Sequence, residues 1–135
     1  MNATSAMFPS LFRRLRRIAR TTCPDLEVSL RTGDAAEFPL PRDHAYCEVV
    51  SRSPIRCRVT VAPKLLYAPK HRQEGVLRHE IGHAVLLTMT TGDHTERQCD
   101  EMAEHLFGAP IRYDAEDVQT TRRDGVTPRP ARLPK

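Results

Sequence analysis

The sequence predicts an α+β fold: a small twisted, mostly antiparallel sheet packed on one long helix and on a second helix that follows it. Three observations carry this expectation. Apolar residues between 71 and 108 recur at helical spacing in two blocks. Three short runs between 26 and 61 read as strands, two of them (Leu26–Leu30 and Arg56–Val61) alternating with a period of two, and Ser53-Pro54 separates the last two runs as a hairpin turn does. The chain has 135 residues, which suits one domain and crowds two. With 39% hydrophobic residues and no Trp it can form a modest core. No stretch approaches the roughly 18 apolar residues of a membrane span. Neither internal repeats nor heptads are present, so a membrane protein, a repeat array and a coiled coil are not expected.

The elements follow in order. Residues 10–20 read as a short amphipathic helix, with Leu11, Leu15 and Ile18 on one face and Arg13, Arg16, Arg17 and Arg20 on the other. Leu26–Leu30 alternates as a strand does. The stretch 33–45, rich in Gly, Pro and Asp, reads as loop. Tyr46–Ser51 and Arg56–Val61 form a hairpin in which Cys57, Val59 and Val61 share a face. Ala62–Lys70 carries two prolines and is a connector with room for one helical turn. A long helix begins at His71 or Arg72 and runs to about Met89. A second begins near Asp93–Thr95 and ends at Gly108. Thr95 with Gln98 and Asp93 with Glu96 both fit a capping box, so its capping residue stays open. One more helical turn is expected over Asp114–Gln119, after Tyr113.

The net charge of +4 is unevenly spread. Residues 1–22 hold five Arg and no acid, and residues 118–135 hold four Arg, one Lys and one Asp, which leaves −5 for the middle. This divides the chain into a basic N-terminal segment (1–22), a central domain (23–117) and a Pro-rich basic tail (118–135). The basic ends come with no aromatic platform and no recognition motif, so they read as solvated segments, and neither a nucleic-acid nor a membrane partner is expected. Cys23, Cys47, Cys57 and Cys99 form no C-x-x-C pair, and no apolar signal segment precedes them. A reduced, cytoplasmic chain is therefore the expectation, although the Arg-rich start also has the character of a mitochondrial presequence. Cys47 and Cys57, facing across the hairpin, leave one bridge open.

The chemistry is concentrated in Arg78-His79-Glu80-Ile81-Gly82-His83, an H-E-x-x-H inside the long helix. Two His at i and i+4 stand one above the other on one helical face and reach a single tetrahedral Zn²⁺. Glu80 lies about 100° around the helix from His79, where it flanks the metal and serves as general base toward water on it. A catalytic zinc needs a third protein ligand and an open fourth position. On the second helix Glu96 and Asp100 are about 40° apart and lie on the apolar side, where unpaired carboxylates are costly. Glu96 is the expected third ligand, with Glu104 as the alternative, and Asp100 is placed to accept the N–H of a zinc-bound His. Glu96 comes only 13 positions after His83, so Thr90-Thr91-Gly92-Asp93 must reverse the chain sharply, with Gly92 free to take positive φ. Gly82 either opens the metal face to a close neighbour or is simply tolerated at about 1 kcal/mol against Ala.

With H-E-I-G-H and E-R-Q-C-D-E-M-A-E-H-L-F-G-A-P in view, the sequence resembles the ImmA/IrrE-type zinc metallopeptidases of the broader gluzincin-like group. That family shows an H-E-x-G-H helix and then a helix patterned E-x-x-A-[ND]-x-F-A-x-x-L-L-x-P. Glu96, Cys99, Asp100, Met102, Ala103, Leu106 and Pro110 fall close to it; Cys99 stands for Ala, Met102 for Phe, and the proline is one position late. The resemblance covers about residues 57–110. It implies a minimal zincin-like fold, one Zn²⁺ per chain and cleavage of a repressor or other regulatory protein inside the cell. An extended peptide substrate is expected to add to a sheet edge beside the metal, with Arg56–Val61 as that edge. The rival expectation is a zinc-binding regulatory or protein-interaction domain without peptidase activity. His44 and Cys47 offer an H-x-x-C with too few further ligands for a second zinc. His71 and His105 read as surface residues, and His94 as lining the cleft.

Overall fold

The computed structural model describes residues 3–40, 43–90 and 94–108. Their order is α1 (Ala3–Thr22), β1 (Val28–Thr32), a 3₁₀ turn (Ala35–Glu37), β2 (Ala45–Arg52), β3 (Ile55–Val61), a second 3₁₀ turn (Pro63–Tyr67), α2 (Lys70–Met89) and α3 (Glu96–Phe107). The expected turn at Gly92, the helical turn over 114–119 and the tail 118–135 lie outside the described residues.

The fold is α+β with three helices and a three-stranded sheet ordered β1-β3-β2. β2 and β3 form the antiparallel hairpin, pairing Cys47 with Val59 and Val49 with Cys57, with a register shift between Val49 and Ser51. β1 runs parallel to β3, pairing Leu30 with Val59. The sheet is therefore mixed rather than mostly antiparallel. The period-two pattern of β1 places its side chains on a face but carries no information on strand direction. The same topology corrects the expected edge: β3 is the central strand, hydrogen-bonded on both sides, and cannot accept a further one.

α1 is longer than its periodicity predicted, extending back through Pro9. A proline in a helix interior costs about 3 kcal/mol, and a start after it is the natural reading of sequence alone. Packing outweighs that cost, because Phe8 and Phe12 are almost fully buried beside Leu11, Leu15 and Ala19. Phe8, Phe12 and Ala19 swing the centre of the buried arc around the helix, so Ile18 falls on its rim at 38% exposure. α1 thus shares one core with Leu26, Val59, Val61, Leu77, Ile81 and Val85.

α2 is the central helix, packed against α1, α3, β2 and β3. Its buried residues run almost without break from Gln73 to Val85. The buried Gln73 Nε2 donates to the carbonyl oxygens of Leu65 (2.9 Å) and Leu66 (3.1 Å), which fixes the second 3₁₀ turn against the start of α2. In α3 the open choice of cap is settled by Thr95. Its side chain accepts from Gln98 N at 3.1 Å, while Gln98 Oε1 accepts from Thr95 N at 2.7 Å. Gly108 ends α3 in the left-handed conformation, φ 67°.

Candidate metal centre

His79 and His83 project from adjacent turns of α2 into the contact with α3, both about 1% exposed. Their rings meet edge to face, with centroids 4.9 Å apart. Glu96, the first residue of α3, is 4% exposed and places Oε1 2.7 Å from His79 Nε2 and 3.2 Å from His83 Nε2. Three donors of different residues thus converge on one point. The ligand-to-ligand edge of a tetrahedron with metal–nitrogen bonds of about 2.0 Å is about 3.3 Å, close to these separations. Asp100, one turn along α3, stands behind His79 with Oδ1 2.7 Å from Nδ1. An imidazole clamped between two carboxylates has its plane and its metal-facing nitrogen fixed before any ion arrives.

The closeness of α2 and α3 depends on Gly82. A β-carbon there would lie 2.7 Å from the Cys99 carbonyl oxygen and 3.5 Å from Ala103 N. Of the two readings of this glycine, close helix approach is the one the packing requires, since the obstructing atom is backbone and cannot step aside.

The structure brings His79, His83, Glu96 and Asp100 together and leaves Glu104 outside. Glu80 is 2% exposed, and its charge acts on both His79 and Cys99. Glu104, the alternative ligand, is exposed. It lies eight residues along α3 from Glu96, about 12 Å at 1.5 Å per residue, too far to share the same point. His71 and His105 are exposed.

Cys99 carried no site assignment from the sequence, and His94 was expected only to line the cleft. Cys99 is fully buried and joins His79, His83 and Glu96 in a group whose donor atoms all lie within 4.8 Å of one another, a group able to hold a metal ion. It sits about 60° from Glu96 on the helix and passed for a core residue there. His94 is 5% exposed, with Nε2 2.8 Å from His83 Nδ1. Its signal was available: it stands two residues before Glu96, in a link too short to leave the site. Among the described residues His44 and Cys47 join no such group. All four cysteines are buried free thiols, Cys47 and Cys57 included.

The electrostatics separate the two histidines. Burial opposes a charge on His79, but Asp100 and Glu96 outweigh it and raise its pKa to about 10. At His83 burial prevails over the contact with Glu96, and the pKa falls to about 4. Burial works against ionising Glu96, yet hydrogen bonds from His79 and His83 hold it down at about 2. Burial, reinforced by the charges of Glu96, Glu80 and Asp100, pushes the Cys99 thiol well up.

Comparison of the chain with protein-family models, with curated proteins and with solved structures returns no match. The functional reading therefore stands on the donors and their geometry. Two imidazole nitrogens, one carboxylate and a nearby sulfur form a borderline-soft set that fits a first-row transition ion better than magnesium or calcium. No described helix is long and apolar enough to cross a membrane.

Proposed function

We propose that this chain is a zinc-dependent metalloendopeptidase of the ImmA/IrrE type, acting in the cytoplasm on a protein substrate with one zinc per chain. The observation that carries the reading is the convergence of His79 Nε2, His83 Nε2 and Glu96 Oε1 beside the buried Glu80. Two histidines and a carboxylate are a ligand set of catalytic zinc sites, which keep a fourth position open. Zinc held there supplies Lewis acidity for a scissile carbonyl and lowers the pKa of water toward neutrality. Glu80 takes the proton of the attacking water on its carboxylate and returns it to the leaving amine. Asp100 holds the Nδ1–H of His79 and so keeps the Nε2 lone pair directed at the site.

The route for a peptide is the outer edge of β2. Cys57 N donates to Glu27 O, and Gly33 N donates to Val61 O, so these β3 residues turn their backbone toward β1. Their partners Val49 and Ala45, with Cys47 between them, then turn N–H and C=O away from β3. β2 packs against α2, the helix that carries His79 and His83. An extended substrate adds there as a fourth strand. The test is incubation of zinc-loaded protein with an unfolded protein, read by mass spectrometry. Wild type cuts, while Glu80→Gln retains zinc and loses at least about 100-fold in rate. Equal cutting by Glu80→Gln overturns the assignment of the base.

One observation favours a second reading. Cys99 gathers with the three other donors, and all four are buried. A closed set of four protein ligands is the arrangement of structural zinc. In that case the metal clamps α2 to α3 and the chain is a zinc-binding regulatory or interaction domain.

A further inference from the structure

His83 Nδ1 faces away from Glu96 and has two neighbours of its own: His94 Nε2 at 2.8 Å and Cys99 Sγ at 2.9 Å. The two histidines of the motif are therefore backed differently. A carboxylate from α3 stands behind His79, and a buried imidazole from the α2–α3 link stands behind His83. His94 and His83 rings are 5.0 Å apart at 50°, a geometry that directs nitrogen at nitrogen rather than stacking the faces.

We infer that His94 is the positioning residue for His83, holding its Nδ1 so that Nε2 is presented to the metal. The inference rests on the metal-site reading above. Two ring nitrogens 2.8 Å apart share a single proton, so one donates and the other accepts. With His83 Nε2 committed to a metal, the ring proton of neutral His83 resides on Nδ1, and His94 Nε2 accepts it. Without the metal, His83 Nε2–H donates to Glu96 Oε1 at 3.2 Å, and Nδ1 then accepts from His94 Nε2–H. Metal loading thus reverses the direction of the His83–His94 hydrogen bond. An imidazole is suited to this place because it serves in either direction by changing tautomer. Cys99 Sγ, 2.9 Å away, is the second neighbour of His83 Nδ1. Because His94 immediately precedes Thr95, the cap of α3, it ties the return of the chain to the orientation of the second ligand.

The experiment uses the full chain as wild type, His94→Gln and His94→Leu. Glutamine can present either its carbonyl or its amide to Nδ1, and leucine can present neither. Zinc affinity is measured by chelator competition, and ligand-field spectra are recorded on cobalt-substituted protein. Long-range ¹⁵N spectra of the histidine rings are taken with and without zinc. His94→Leu is expected to bind zinc about 10–100-fold more weakly with shifted cobalt bands, and His94→Gln to recover most of that loss. In wild type the shared proton is expected on His94 Nε2 without zinc and on His83 Nδ1 with it. His94→Leu with wild-type affinity and spectrum overturns the positioning role, and so does a shared proton that stays in place on loading. If His94→Leu fails to fold, the wild-type proton position and the His94→Gln affinity still decide. Wild type that binds neither zinc nor cobalt sinks the metal-site reading itself, and the positioning role with it.

Discussion

A β-carbon on Gly82 would meet the carbonyl oxygen of Cys99 at 2.7 Å, so the distance between the two site helices is set at one residue of the H-E-x-x-H motif itself. The motif contributes ligands and also the gap that lets Glu96 reach them.

Gly82→Ala is expected to lower stability by about 1–3 kcal/mol and to weaken metal binding, because overpacking pushes α3 away from α2. Helix propensity alone gives the opposite sign, about 1 kcal/mol of stabilisation for alanine in a helix interior. Denaturant unfolding of metal-free protein therefore separates the two. A stabilised Gly82→Ala would show that α3 yields without cost.

Metal affinity is expected to rise with pH. Metal and proton compete for His79 Nε2, and that nitrogen keeps its proton up to about pH 10 without a metal. His83, with its pKa at about 4, and Glu96, at about 2, are already deprotonated at neutral pH and add no dependence there. The zinc dissociation constant should fall roughly tenfold per pH unit between 7 and 9. Titration against a chelator of known protonation checks this, and a flat profile refutes it.

The metal-free protein is expected to be most stable near pH 6.5 as far as these three groups decide. Glu96 has a depressed pKa, so its contribution is full above the unfolded value of 4.5 and is lost as pH falls toward 2. His83 also has a depressed pKa; it is held neutral in the fold, and stability drops as pH falls from 6.5 through 4. His79 has the opposite sign: its contribution is full below 6.5 and is lost as pH rises through about 10. Melting temperatures across pH 3–10 should trace a maximum with two limbs. Glu96→Gln should flatten the limb below pH 4.5, and an unchanged limb would count against a buried, ionised Glu96.

Cys99→Ser distinguishes the peptidase from the closed structural site. In the peptidase the sulfur stays on the Nδ1 side of His83, and wild type substituted with cobalt shows no thiolate-to-metal charge-transfer band. In the closed site the band is present and disappears in Cys99→Ser.

Much of this was legible in the sequence, and what was hidden has physical reasons. α2, α3 and the hairpin carry strong periodicity and clear stop signals, and Glu96 and Asp100 stood out because carboxylates on an apolar face need a partner. The parallel docking of β1 was hidden, since alternation is the same for either direction. That hid the edges as well: with β1 docked on β3, the edge strands are β1 and β2, and β3 is internal. Phe8 lay beyond a proline that reads as a helix start, and only packing shows its burial. Cys99 was hidden, and so were the contacts that it and His94 make with His83 Nδ1, because no spacing within one helix encodes a relation to its neighbours; the place of His94 near the cleft was legible from its closeness to Glu96.

The most direct test of the central claim is zinc per chain in wild type, His79→Ala, Glu96→Ala and Glu80→Gln, each purified under metal-replete conditions. The expected result is about one zinc in wild type and in Glu80→Gln, with strong loss in the other two, which assigns His79 and Glu96 to ligation and Glu80 to chemistry. Wild type that retains no zinc under those conditions would contradict the account.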